Sequence, residues 1–146
     1  MKIILAILVV MIAVFACGCT TTAPQAAAPA VTPAGTTATP DLVGVWSGVT
    51  TGHINAKGYR DAGAPVYNIT TQKGNAFAGF KDYPDMNGVM LHEEFSGVIN
   101  KHGEIFIAET EAGVTIGDLV DSGTMELSYI EDGDAAKAFL ITLTRQ

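Results

Sequence analysis

The sequence predicts an all-β domain: an antiparallel up-and-down meander of about eight strands, closed into a small barrel and carried behind a leader and a linker. Three observations predict it. From Asp41 onward apolar side chains recur at alternate positions within short runs, and glycine or Asn/Asp clusters separate the runs at hairpin spacing. No long window after Pro40 holds a 3.6-residue period, so no long helix is expected.

Residues 1–19 read as an export leader. Met1 and Lys2 precede an apolar run from Ile3 to Ala16, shorter than the roughly 20 residues that cross a bilayer core. One positive residue, a short apolar stretch and small residues before a cut make a secretory signal. Both cysteines end this run and none follows, so no disulfide can staple the exported domain. The stretch Ala16-Cys17-Gly18-Cys19 resembles the lipobox of prokaryotic lipoproteins, where a small residue precedes a Cys that takes the lipid and becomes the new N-terminus. The resemblance implies lipidation at Cys19, and the frame Val14-Phe15-Ala16-Cys17 makes Cys17 the alternative. A cleaved soluble protein and an uncleaved anchor helix are the plainer readings.

Residues 20–40 read as a disordered tether. They comprise seven Thr, seven Ala, four Pro and one each of Gln, Val and Gly, without a charge or an aromatic ring, and such a composition builds no core. Repeated proline favours an extended course of ~3.1 Å per residue, so the tether could hold a domain roughly 65 Å from a surface. Its Thr and Pro content also suits an O-glycosylated stalk.

Residues 41–146 are the domain, with seven basic and fifteen acidic residues and so a net charge of −8. No basic stripe is present, which disfavours nucleic acid and charge-driven binding to anionic lipid. Alternation places strands over 42–51, 66–72, 76–81, 91–100, 104–110, 114–120, 124–130 and 136–145, while 53–65 is open between an extended first hairpin and a long loop. The links Lys73-Gly74-Asn75, Lys101-His102-Gly103, Ala112-Gly113, Ser122-Gly123 and Glu131-Asp132-Gly133-Asp134 carry the residues that tight hairpins need. One parity is apolar: Met125, Leu127 and Tyr129; Phe139, Ile141 and Leu143; Tyr67 and Ile69; Phe95 and Ile99. The other parity is mostly Glu, Ser, Thr or Lys. A sheet with one buried face and hairpin connections favours closure, which removes unpaired edges; a two-sheet β-sandwich is the alternative.

Gly44-Val45-Trp46 opens the first strand and Arg145 ends the last. This pairing resembles the calycin signature of lipocalins, fatty-acid-binding proteins and avidins, in which the Trp of a G-x-W packs across the closed end of the barrel beneath a basic residue from the last strand. The resemblance implies that Trp46 and Arg145 form a barrel-closing structural pair. Arg145 also shares the parity of Phe139, Ile141 and Leu143. Trp46 is the only Trp and is followed by Ser47-Gly48-Val49-Thr50, a departure from the avidin pattern that disfavours biotin. Lipocalin disulfides and a second lipocalin motif are also missing. The order of leader, Thr/Pro/Ala tether and small G-x-W domain is similar to that of archaeal lipobox lipoproteins, which implies no established activity.

Catalytic chemistry has no visible engine. G-x-S-x-G, Walker and H-E-x-x-H motifs and a Cys nucleophile are absent from the domain, and no His stands at a telling distance from Ser47, Ser96, Ser122 or Ser128. His92-Glu93-Glu94 is the densest titratable cluster, yet His92 and Glu94 alone are too few for a metal, and none is expected. The acidic turn 131–134 lacks the spacing of a calcium loop. Glu93 shares the parity of Leu91 and Phe95, so it points toward the core or the barrel mouth, where a carboxylate needs a partner. Asn68-Ile69-Thr70 is a sequon with Asn68 on the outward parity.

The expected function is therefore a lipid-anchored, surface-exposed, non-catalytic binding module without a cofactor. Its ligand would be a small apolar or amphipathic molecule entering the barrel at the end away from Trp46, with Tyr59, Tyr67, Glu93 and Tyr129 as candidate lining. The alternative is an envelope protein that meets a protein partner through outer-face acids such as Asp118, Asp121 and Glu126.

Overall fold

A computed structural model describes residues 38–146; the leader, both cysteines and most of the tether lie outside the described residues. Nine strands follow in order: β1 (Gly44–Ile54), β2 (Gly58–Asp61), β3 (Val66–Lys73), β4 (Ala76–Pro84), β5 (Met90–Ile99), β6 (Ile105–Glu109), β7 (Val114–Asp121), β8 (Thr124–Glu131) and β9 (Lys137–Arg145). All neighbours are antiparallel, and β1 pairs with β9 to close an eight-stranded barrel. A sandwich is thereby excluded.

The ambiguous stretch 53–65 resolves as a hairpin that adds the ninth strand. β1 runs three residues further than its alternation suggests, so its one edge pairs with β9 from Trp46 to Ile54. Its other edge is shared: β3 takes Gly44 to Ser47, and β2 takes Thr51 to Ile54. Between them the amides of Gly48 and Thr50 donate to the carbonyls of Pro65 and Gly63 at 3.3 and 3.1 Å, so the seam is not left unpaired.

The interior holds Leu42, Trp46, Tyr67, Ile69, Phe77, Phe95, Ile99, Ile105, Ile107, Met125, Leu127, Ile141 and Leu143, following the alternation read from the sequence. β7 departs from that pattern. Val114, Ile116 and Val120 face outward, while Thr115, Gly117 and Leu119 take the inner parity. The inner wall of β7 is crowded: a Cβ on Gly117 would stand 2.0 Å from the Glu126 carbonyl oxygen, leaving no room for a larger residue. Gly48 marks the same tight curvature where β1 meets β9, since its Cβ would lie 1.7 Å from the Thr142 carbonyl oxygen. An eight-stranded barrel is just wide enough for side chains to fill it.

Candidate functional site

The two ends of the barrel are finished differently. At the first, Trp46 is fully buried and its Nε1 donates to the Leu42 carbonyl at 2.9 Å. The Arg145 guanidinium lies 4.6 Å above the indole and donates to the carbonyls of Val43 at 3.3 Å and of Asp41. A planar cation over an aromatic face seals this end; its two terminal nitrogens are paired with carbonyls, while Nε is buried without a hydrogen-bond partner.

At the opposite end the interior is ionic. Lys81 of β4 stands directly across from Glu93 of β5 with Nζ 3.2 Å from its carboxylate, and it also touches Glu109 of β6. All three side chains are nearly free of solvent. Glu93 is further held by the Glu111 amide at 2.9 Å and the Tyr83 hydroxyl at 3.2 Å, and Glu109 accepts from the Thr115 hydroxyl at 2.6 Å. The Lys81 ammonium lies 4.8 Å from the Tyr83 ring centre and 5.1 Å from that of Tyr129, so two aromatic faces cover it. Burial first, then the Glu93 charge and hydrogen bond, push the Tyr83 phenol up to about 12. Burial also drives the phenols of Tyr67 and Tyr129 well above the ordinary range, reinforced by Glu109 and Glu93 at Tyr67 and by Glu131 at Tyr129. Burial alone would raise the Glu131 carboxyl, but hydrogen bonds from Lys137, at 2.7 Å, and from Tyr129 outweigh it and hold it below its usual value.

On the outer wall an open groove of about 740 Å³ is bordered by β2, β1, β9 and β8. Ile130, Ala138 and Leu140 give it an apolar floor. Tyr59, 90% exposed, stands edge-on to His53 with ring centres 5.0 Å apart at its side. A second, smaller groove of about 440 Å³ lies outside β4, β5 and β6 beside Phe80.

No protein-family model matches the chain, and no curated protein matches it. Among solved structures the barrel is similar to EF1p2_mFAP2b, solved bound to DFHBI, with a TM-score of 0.53 and 13% identity over 72% of this chain and 94% of that one. It is also similar to lobster apocrustacyanin A1 and to apocrustacyanin C2. Each of these has a TM-score of 0.47 and 14% identity over 71% of this chain and 60% of its own. The fold they share is a closed antiparallel β-barrel.

Within this barrel the candidate residues separate. Glu93 and Tyr129 meet in the ionic end, Glu93 buried and Tyr129 half-buried over Lys81. Tyr67 is buried core, its ring 5.7 Å from that of Phe95. Tyr59 is not inside with them: its register opposite His53 sets it on the outer face of the wall, at a groove that Tyr129 also borders. Asn68 lies mid-strand between β1 and β4, half-buried, a position with little room for a glycan. His92 pairs with Asp82 at 2.8 Å on the exposed face, and no group of three metal-ligating side chains converges among the described residues. Lys81, Tyr83, Glu109 and Thr115 complete the ionic end and were not among the candidates. Two of them carried a signal, since Glu109 continues the inward parity of Ile105 and Ile107, and Lys81 that of Phe77.

Proposed function

We propose that this chain is a lipid-anchored, surface-exposed, non-catalytic binding module whose ligand, a small apolar or amphipathic molecule, sits in the groove on the barrel wall. The observation that carries this reading is the groove itself, with an apolar floor and a tyrosine left almost wholly in solvent beside it. The interior offers less. From Trp46 to the Lys81 cluster it is occupied by side chains that already satisfy one another. That EF1p2_mFAP2b was solved with DFHBI bound accords with ligand binding by a barrel of this fold. Anchoring rests on the leader, the lipobox-like Cys19 or its alternative Cys17, and the tether, which together suit the outer side of a cytoplasmic membrane.

Native mass spectrometry of the full chain released from detergent micelles tests the reading against its denatured mass. Excess mass that disappears on denaturation is expected, retained by Tyr83→Phe and lost by Tyr59→Ser. The reverse pattern would move the ligand into the barrel mouth and overturn the wall site. A second reading, an envelope protein binding a protein partner, is favoured by one observation. Val114 and Ile116 extend the apolar floor across β7, in cross-strand rows with Ile130–Ala138 and Ser128–Leu140, wider than a small molecule needs. Equal native and denatured masses would favour it.

A further inference from the structure

The ionic end contains more than a salt bridge requires. Lys81, Glu93 and Glu109 come from three adjacent strands, and their side chains are 7, 4 and 1% exposed. In water an ammonium and a carboxylate do not condense, because both ions are hydrated and water competes for the carbonyl carbon. Here solvent is excluded, and the amine nitrogen is held against the Glu109 carboxylate by the sheet. Two further parts of a condensation site are present. The Thr115 hydroxyl donates to Glu109 Oε1 at 2.6 Å, which would stabilise charge on the oxygen that stays. Glu93 Oε2 lies 3.2 Å from Lys81 Nζ, within reach to take and return a proton.

We propose that Lys81 and Glu109 join as an intramolecular amide, with Glu93 as the proton carrier. Glu93 takes one proton from the Lys81 ammonium, and the freed nitrogen lone pair attacks Cδ of Glu109, forming the C–N bond. The nitrogen loses a second proton, and the Oε2 of Glu109, protonated twice in all through Glu93, departs as water. Oε1 becomes the amide carbonyl. One ammonium and one carboxylate are consumed, one amide and one water are formed, and Glu93 ends in its starting state; nothing is oxidised or reduced. The product ties β4 to β6 across β5. Such a staple answers a need visible in the sequence, because an exported barrel of this size with no cysteine after Cys19 has no disulfide to perform that role.

Tryptic digestion of the full chain under denaturing conditions, followed by mass spectrometry, decides it. Trypsin cuts at Lys73, Lys101 and Lys137 but not at an acylated Lys81, so fragment 74–101 should be joined to fragment 102–137. The joined pair should be about 18 Da lighter than the two fragments summed, one water. Separate fragments 74–81, 82–101 and 102–137 at their sequence masses would overturn the proposal. Fragment 74–101 alone and about 18 Da light would overturn Glu109 as the partner, since the bond would then lie within that fragment at Glu93. Glu93→Gln should reduce the joined product at least ~10-fold. Wild-type yield in that variant would remove Glu93 from the reaction, and the wild-type digest tests the bond whether or not the variant folds.

Discussion

Removing the guanidinium that covers Trp46 should weaken the closed end by an amount set by one stacking contact. In Arg145→Ala the indole loses a cation 4.6 Å from its centre, a contact of about 0.5–2 kcal/mol according to how far it is desolvated. The hydrogen bonds to Val43 and Asp41 add little, because these carbonyls are at the surface and water replaces the donor. For a domain of this size the loss corresponds to a fall in melting temperature of roughly 2–10 °C. Far-UV circular dichroism of the full chain would measure it. Trp46 is the only Trp in the chain, so its emission reports the same site and should shift to the red as the ring meets water. A double-mutant cycle with Trp46→Leu isolates the stack, since in that background Arg145→Ala should lose about 0.5–2 kcal/mol less. A coupling indistinguishable from zero would show that Arg145 and Trp46 contribute independently and that this account of the closed end is wrong.

Other outcomes are expected at the ionic end, in alkali and at the membrane. Lys81→Met leaves two buried carboxylates without their cation, so adding Glu93→Gln and Glu109→Gln to that variant should restore about 3 kcal/mol in urea unfolding. Equal stability of the single and triple variants would refute an ionic origin. The folded state holds the Tyr83 proton more tightly than the unfolded chain, with the phenol at about 12 against 10.0, so its contribution is full below pH 10 and is lost as pH rises toward 12. Tyrosinate absorbance and unfolding midpoints should change together over that interval, and Tyr83→Phe should flatten the part of the profile due to this residue. Cys19→Ala should move the protein from the membrane pellet to the soluble fraction. Release by Cys17→Ala alone would assign the lipid to the other cysteine.

The barrel was legible because closure leaves a period-two record in the chain. Strands β3 to β6, β8 and β9 each carry enough inward residues, such as Met125 and Leu127 or Ile141 and Leu143, to declare a face. β2 was not legible. Its four residues are mostly exposed, and their pairing depends on the register of Tyr59 against His53, which no alternation records. That register also puts Tyr59 on the outer face, apart from Glu93 inside. β7 concealed its face because Val114, Ile116 and Val120 are as apolar as Leu119, and the choice between parities is made by crowding at Gly117. In the ionic end Glu93 could be placed by its parity, and Glu109 and Lys81 followed the same rule. Charged residues near strand ends ordinarily read as solvated, and only the closed barrel and the rings of Tyr83 and Tyr129 make them buried.

Both ends of the barrel solve one problem with related chemistry. A small barrel leaves two openings through which water could reach its core, and each is covered by a basic side chain against aromatic faces: Arg145 on Trp46, and Lys81, an ammonium before the proposed condensation, under Tyr83 and Tyr129. The difference lies in how each charge is balanced. Arg145 remains near solvent and needs only backbone carbonyls, whereas Lys81 lies inside and requires carboxylates from two further strands. This arrangement commits the interior to holding the fold together. The proposed recognition then falls to a surface the core does not use, the outer groove bordered by β2, β1, β9 and β8. The same division explains why Tyr59 and Glu93, grouped by residue type as binding candidates, stand on the outer and inner faces of the sheet.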